Sequence, residues 1–198
     1  MQRINLFPDP NMANTIFQCI PARCTVDFPT VSGFRWLRAT TSASGDIYAQ
    51  YVLAGANLPP AGVYHIHAVC YARGSGAFFR VYAGVGDGFT ILNETGIADD
   101  QTKGIDADIT IPANTERLLI RVVPPSTVGK FMLIRDILLE SKSTYDTAVG
   151  GVPMFLSTPW GVDVSGFRLA VVGALRPAGG VRRPFPCGPV QATRAGSW

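Results

Sequence analysis

The chain has 198 residues, of which 47% are apolar and only 16% charged, with a formal net charge of +3. That length fits one domain, or one domain with an extension, and allows a sizeable core without disulfide or metal staples. So few charges disfavour a freely soluble helical enzyme and suit an all-β protein or an assembly subunit, whose surface is covered by Ser, Thr, Asn, Gly and backbone.

The charge is unevenly spread. Residues 1–146 hold 12 Lys/Arg against 13 Asp/Glu, whereas residues 147–198 hold five Arg against a single Asp. The first region is read as the folded domain and the second as an extension. Its few, scattered charges fit a solvated or interface tail better than a nucleic-acid arm, so nucleic acid is not an expected partner.

In chain order, residues 8–33 are interrupted by Pro8, Pro10, Pro21, Pro29 and Gly33 and read as irregular chain with short extended pieces. GFRWLRAT (33–40) reads as a strand, TSASGD (41–46) as a turn, IYAQYVLA (47–54) as a strand and NLPPAG (57–62) as a turn. The clearest strand is 62–74, where Val63, His65, His67 and Val69 alternate with Tyr64, Ile66, Ala68 and Cys70. After a GSG break, AFFRVYAGV (77–85) is expected to pair with it antiparallel.

A short strand follows at 87–96, a loop at DDQTKG (99–104), an alternating strand at 105–111, a turn at PANTE (112–116) and a strand at 117–125 that two prolines end. FMLIRDILLES (131–141) tolerates either a helix or a strand, but alternates with period two and follows a series of strands, so a strand is expected. Eight or so strands with Gly/Pro turns predict a two-sheet sandwich. In the extension, 166–175 reads as one more strand, followed by RPAGGVRRPFPCGP, a segment expected to order only against a neighbour.

Cys19, Cys24, Cys70 and Cys187 have neither CxxC nor zinc-finger spacing and are expected as free thiols, although Cys19 and Cys24 are close enough in sequence for a small disulfide loop. The first twelve residues lack the apolar run of a secretory signal, and no stretch reaches eighteen apolar residues. The expectation is therefore no membrane insertion, and residence in the cytoplasm or export without a signal peptide.

Several clusters have both a chemical and a plain reading. His65 and His67 share a strand face about 6–7 Å apart and could ligate zinc, but nothing nearby completes a ligand set, so ordinary strand histidines are expected. Asp99, Asp100, Asp106 and Asp108 could pair for glycoside hydrolysis, yet read as a solvated loop and strand edge. Tyr48, Tyr51, Tyr71, Phe78, Phe79, Tyr82 and Phe89 fall on strands or strand ends, where core packing competes with stacking against sugar rings. Phe78 and Phe79 point to opposite faces, so one of them is core. Arg73, Phe79, Arg80 and Tyr82 are the candidate sugar contacts. No Walker loop, GxGxxG, GxSxG or HExxH occurs, and two histidines on one strand do not suit a serine hydrolase.

Three stretches resemble carbohydrate-binding-like jelly-roll domains: the opening NLFPDPNM, the strand GVYHIHAVCYARG, and the closing FMLIRDILLESKSTYD with Asp136, Leu139, Glu140, Tyr145 and Asp146. The resemblance covers about residues 5–146. It departs from the pattern at Thr147, where a glycine is usual, and only Trp160-Gly161 stands for the Trp-Gly pair that often follows.

The resemblance implies a jelly-roll or galactose-binding-like β-sandwich over 1–146, with 147–198 as a Gly/Pro/Arg-rich C-terminal extension or assembly arm. A jelly roll brings its first and last strands together in one sheet. Leu6 and Phe7 would then cover one end of the core, and Asp136 and Glu140 would accept backbone N–H groups of the opening segment or, with Asp9, bind calcium.

In this compact form the resemblance is to modules of tailed-phage tails, baseplates and other virion proteins. The first expectation is a non-catalytic virion structural protein, assembled in the host cytoplasm, whose partners are other virion proteins and copies of itself. Its arm residues would be Trp160, Arg176, Arg182, Arg183, Phe185 and Trp198. The alternative is a carbohydrate-binding module for a bacterial surface glycan, and the third reading a glycan-degrading enzyme. Apart from calcium, no cofactor is expected.

Overall fold

A computed structural model describes residues 4–13 and 18–148. Twelve strands run through them: β1 (Ile20–Ala22), β2 (Cys24–Asp27), β3 (Thr30–Val31), β4 (Phe34–Arg35), β5 (Leu37–Thr41), β6 (Tyr48–Ala54), β7 (Gly62–Arg73), β8 (Ala77–Val85), β9 (Gly88–Ile97), β10 (Gln101–Ile111), β11 (Arg117–Val123) and β12 (Phe131–Ser141). One short helix, α1 (Lys142–Thr147), follows the last strand. Among the described residues no helix is long and apolar enough to cross a membrane.

Two five-stranded sheets form the sandwich. The first has the order β1-β6-β11-β8-β9 and the second β10-β7-β12-β5-β2; β3 and β4 make a separate small ribbon. This is an all-β jelly-roll sandwich. The period-two pattern puts Tyr64, Ile66, Ala68, Cys70 and Ala72 of β7 into the core, against Ala49, Tyr51 and Leu53 of β6 and Leu118, Ile120 and Val122 of β11. Leu37 and Ala39 from β5 and Met132, Ile134, Ile137 and Leu139 from β12 complete the second sheet's contribution.

The closing run 131–141 is a strand, and the opening segment lies along it. Asn5 makes the junction. Its side-chain amide donates to the Ile137 carbonyl at 2.8 Å, while its side-chain oxygen accepts from the Leu139 amide at 2.9 Å and from the Phe7 amide at 3.0 Å. The Leu6 amide adds a bond to the Leu139 carbonyl at 2.7 Å.

These bonds are available because β12 carries a bulge. Arg135 pairs with Val69 and Leu138 with His67, so Asp136 and Ile137 together oppose Ala68. Asp136 sits at φ 55°, a left-handed conformation that Asp tolerates better than most residues. Phe7 and Met12 then plug the end of the sandwich. Phe7 meets Tyr51 edge-on at 5.0 Å, and the Tyr51 hydroxyl donates to Asp9 at 3.3 Å. Leu6 is only partly buried, so Phe7 is the true end-cover.

The short extended pieces expected in 8–33 are β1, β2 and β3, of which β1 and β2 gain ladder bonds to β6 and β5. Three other expectations change. The run 33–40 divides into β4 and β5 at Trp36, whose amide bonds to the Pro29 carbonyl at 2.9 Å. The expected loop 99–104 becomes strand from Gln101 onward, because Lys103 and Gly104 pair with Cys70 and Val69 of the long β7. The expected pairing of 62–74 with 77–85 also fails: β7 and β8 lie in different sheets. The proposed extra strand at 166–175 lies outside the described residues.

Candidate functional site

The outward face of the first sheet collects rings and arginines in register. Gln50 of β6 faces Arg121 of β11, Arg121 faces Arg80 of β8, and Arg80 faces Glu94 of β9. This polar row crosses four strands, about 14 Å at normal strand spacing. Next to it runs a second row, Val52, Leu119, Tyr82 and Ile91. Tyr48 and Phe78 flank the polar row on its other side, one outward position further along β6 and β8.

Arg121 is the hub. Its Nε donates to Gln50 Oε1 at 2.8 Å, and its guanidinium carbon lies 4.1 Å from the centre of the Tyr48 ring, 5.0 Å from Tyr82 and 5.9 Å from Phe89. Cation–π attraction holds the guanidinium against these rings without consuming its outward N–H donors. Among the described residues no carboxylate pairs with Arg121, and its terminal nitrogens make no hydrogen bond. Arg80 donates to Glu94 at 2.6 Å and lies 4.6 Å over Phe78.

The far end of the face depends on Gly84. Arg117 lies 4.8 Å over Phe89 and donates to the Gly86 carbonyl of the β8–β9 turn. A Cβ on Gly84 would fall 2.7 Å from Arg117 Cγ and 3.1 Å from Phe89 Cε1, so only glycine lets these two side chains meet there. Phe89 and Ile91 stay about half exposed, at 47% and 53%.

The outward face of the second sheet is organised differently. Two of its arginines are neutralised, Arg38 by Asp27 at 2.8 Å and Arg135 by Asp136, whereas Arg73 has no carboxylate partner among the described residues. His65, 5% exposed, places Nδ1 2.9 Å from Asp108 and Nε2 3.3 Å from Asp106, and stacks on Tyr145 of α1 at 3.5 Å. His67 lies 3.0 Å from Asp106. The hydrogen bond from His65, helped by nearby Lys142, holds the Asp108 carboxyl below its ordinary value. Toward the other end, a groove of about 430 Å³ is lined by Trp36, Arg38, Tyr71, Phe131 and Leu133 among others. Two of its polar groups are already engaged, Arg38 with Asp27 and the Tyr71 hydroxyl with Asp100 at 2.5 Å, whereas the buried Trp36 Nε1–H has no hydrogen-bond partner.

The candidate residues from the sequence divide accordingly. Arg80 and Tyr82 lie together on the outward face of the first sheet. Phe79 does not join them: it is 0% exposed and points into the core, and its neighbour Phe78 takes the outward position. Arg73 ends β7 in the other sheet, opposite Phe131.

The acids proposed for calcium do not converge. Asp9 accepts from the Tyr51 hydroxyl and from the Ala13 amide at 2.7 Å, Asp136 pairs with Arg135 in the bulge, and Glu140 is buried opposite His65. Among the described residues no group of three His, Cys, Asp or Glu side chains is placed to hold a metal ion, His65 and His67 included. Asn5 accepts the Phe7 amide of the opening segment, and Asp136 pairs with Arg135 instead.

Asp99 and Asp100 serve the backbone and Tyr71, with Asp99 accepting the Gly74 amide at 2.5 Å. Cys19, Cys24 and Cys70 are buried free thiols. Trp160, Arg176, Arg182, Arg183, Phe185 and Trp198 lie outside the described residues. Sequence reasoning missed Gln50, Arg117 and Arg121. Their alternation within 47–54 and 117–125 marks them as outward-facing, but nothing in the linear chain places Gln50 beside Arg121.

No family profile matches the chain, and no curated protein is similar to it in sequence. Solved structures do share its fold. The C-terminal family 22 carbohydrate-binding module of Clostridium thermocellum Xyn10B aligns with a TM-score of 0.53 at 13% identity, over 72% of this chain and 93% of its own. A xylan-binding domain of family 22 gives 0.53 at 12% identity, over 67% and 92%. A family 16 carbohydrate-binding module gives 0.51 at 14% identity, over 68% and 99%. At these identities the likeness establishes the fold.

Proposed function

We propose that the chain is a non-catalytic carbohydrate-binding module whose ligand lies across the outward face of the first sheet. The observation that carries this reading is Arg121, whose free N–H donors are held among Tyr48, Tyr82 and Phe89 beside the Gln50 amide. Sugars present apolar C–H faces that stack on rings, and equatorial hydroxyls that need donors and acceptors alongside. This face supplies both on rigid strands, which fix geometry better than loops. The shared fold with carbohydrate-binding modules supports the same reading.

Catalysis is not part of it. Glu94 is the face's one central carboxylate and is paired with Arg80, whereas glycoside hydrolysis uses two carboxyl groups held about 5–9 Å apart. The virion-assembly reading rested on motif resemblance and on arm residues that lie outside the described region. No contact described above adds to it, so the order of the two expectations is reversed.

The test is affinity electrophoresis of the full chain through gels cast with a panel of plant and bacterial polysaccharides. Retardation by at least one polysaccharide, abolished by Tyr82→Ala and retained by Tyr71→Ala on the opposite face, is the expected result. Retardation that Tyr71→Ala abolishes and Tyr82→Ala leaves intact would place the ligand on the other face and refute the proposal.

A further inference from the structure

We infer that the ligand of this face is an acidic glycan, one whose sugar rings carry carboxylates. The inference rests on the proposed glycan-binding role and names the class of sugar. Its basis is the charge balance along the register. Arg80, Arg117 and Arg121 all lie on the outward face of the first sheet, and Glu94 is the carboxylate among them. Glu94 is consumed by Arg80. Asp87 and Glu116 sit at the β8–β9 hairpin end, where Glu116 accepts the Gly86 amide at 3.0 Å, and Arg121 lies five residues beyond Glu116, about 17 Å along β11.

Two guanidinium groups are therefore left without a carboxylate partner among the described residues, Arg117 and Arg121. Lack of a carboxylate partner is not confined to this face, since Arg23, Arg35 and Arg73 also have none among the described residues; what sets Arg121 apart is its place among three rings.

The environment of Arg121 sharpens the point. A neutral hydroxyl can be satisfied by Gln50 or by water. A guanidinium backed by three rings, with its Nε already bonded to Gln50, presents its terminal nitrogens as a planar fork. That fork matches the two oxygens of a carboxylate. Partial shielding by Tyr48 and Tyr82 lowers the local dielectric and strengthens such a pair relative to open solvent. A uronate ring stacked on Tyr82 or Tyr48 would bring its carboxylate within reach of the same side chain that the ring touches.

The experiment measures affinity of the full chain for polygalacturonate, alginate and glucuronoxylan, each beside its carboxyl-reduced counterpart, with dextran sulfate as a non-uronate polyanion. At least one acidic polysaccharide is expected to bind about 10-fold or more tightly than its reduced form. That preference should shrink as NaCl rises from about 0.05 M to about 0.5 M. Arg121→Gln should remove the preference, weakening the acidic polysaccharide about 5-fold or more beyond whatever it costs the reduced form, and Arg121→Lys should retain part of it.

Equal, Tyr82-dependent binding of the acidic and reduced forms would overturn the acidic assignment and leave the glycan-binding face standing. Dextran sulfate binding as tightly as any uronate, and indifferent to Tyr82→Ala, would also overturn it, as unselective charge attraction. Retention by none of these polysaccharides, with neutral glycans retained through Tyr82, sinks the inference alone. No retention by any polysaccharide sinks the underlying reading with it. Thermal melts of both Arg121 variants distinguish loss of affinity from loss of fold.

Discussion

The two outward faces of the sandwich are built from strands of similar length and equal number, yet their polar groups are spent differently. On the second sheet most of them meet one another: Asp106 and Asp108 bracket His65, Arg38 meets Asp27, Arg135 meets Asp136, and α1 covers the cluster with Tyr145, the exceptions being the unpartnered Trp36 Nε1–H and Arg135 Nε–H and the Arg73 charge. On the first sheet the rings and Arg121 face solvent, with N–H donors unspent. A face whose hydrogen bonds are closed among themselves contributes to stability and specificity of folding, whereas one that leaves donors beside exposed rings is equipped for a partner.

This comparison predicts a double dissociation. The largest effect belongs to the clasp of the second sheet. Asn5→Ala removes one buried side chain that serves the Ile137 carbonyl and the Leu139 and Phe7 amides. It should cost about 2–4 kcal/mol in urea denaturation, with polysaccharide retardation of the remaining folded protein unchanged. Second in size is Tyr82→Ala, which should weaken glycan binding by about 10-fold or more while shifting stability by about 1 kcal/mol or less, because the ring is only half-buried. If the two variants exchanged these phenotypes, the division of labour between the faces would be wrong.

Smaller effects sharpen the contrast. Tyr145→Ala removes the stack on His65 and should cost about 1 kcal/mol without altering binding. The pH response should likewise come from the protein's interior and second face. The folded Asp108 carboxyl is held below its ordinary 3.8, so the stability it contributes is complete above that value and is lost as pH falls through the lower folded value. Asp108→Asn should flatten this acid limb.

At the other extreme, burial first, then Cys24 and Asp9, push the Cys19 thiol from 9.0 up to about 12. A raised thiol value gives stability that is complete below pH 9 and declines from there toward pH 12, because the unfolded chain releases its proton first. Cys19→Ala should make the alkaline decline shallower in pH-jump unfolding.

The sandwich itself was readable because strands such as β7 and β12 alternate without interruption and turn chemistry separates them. The docking of the opening segment on the closing strand was also legible, as a motif, but its cause was not. Asp136 reads as a metal or amide ligand in sequence, whereas the structure gives it the left-handed residue of a bulge, and the bridging falls to Asn5. Alternation shows that Phe78 and Phe79 lie on opposite sides, but which side is core depends on whether β8 joins β11 or β7, a non-local choice. The site was half visible for the same reason. Arg80 and Tyr82 are local to one strand, while the pairing of Gln50 with Arg121 spans 71 residues and is set only by register.

The most direct test of the account is a backbone amide chemical-shift map, recorded while oligosaccharides from whichever polysaccharide retards the chain are titrated in. The account predicts that the largest shifts cluster on β6, β11, β8 and β9 around Gln50, Arg121 and Tyr82. Shifts concentrated instead on β7, β12 and β5, around Tyr71 and Phe131, would contradict it.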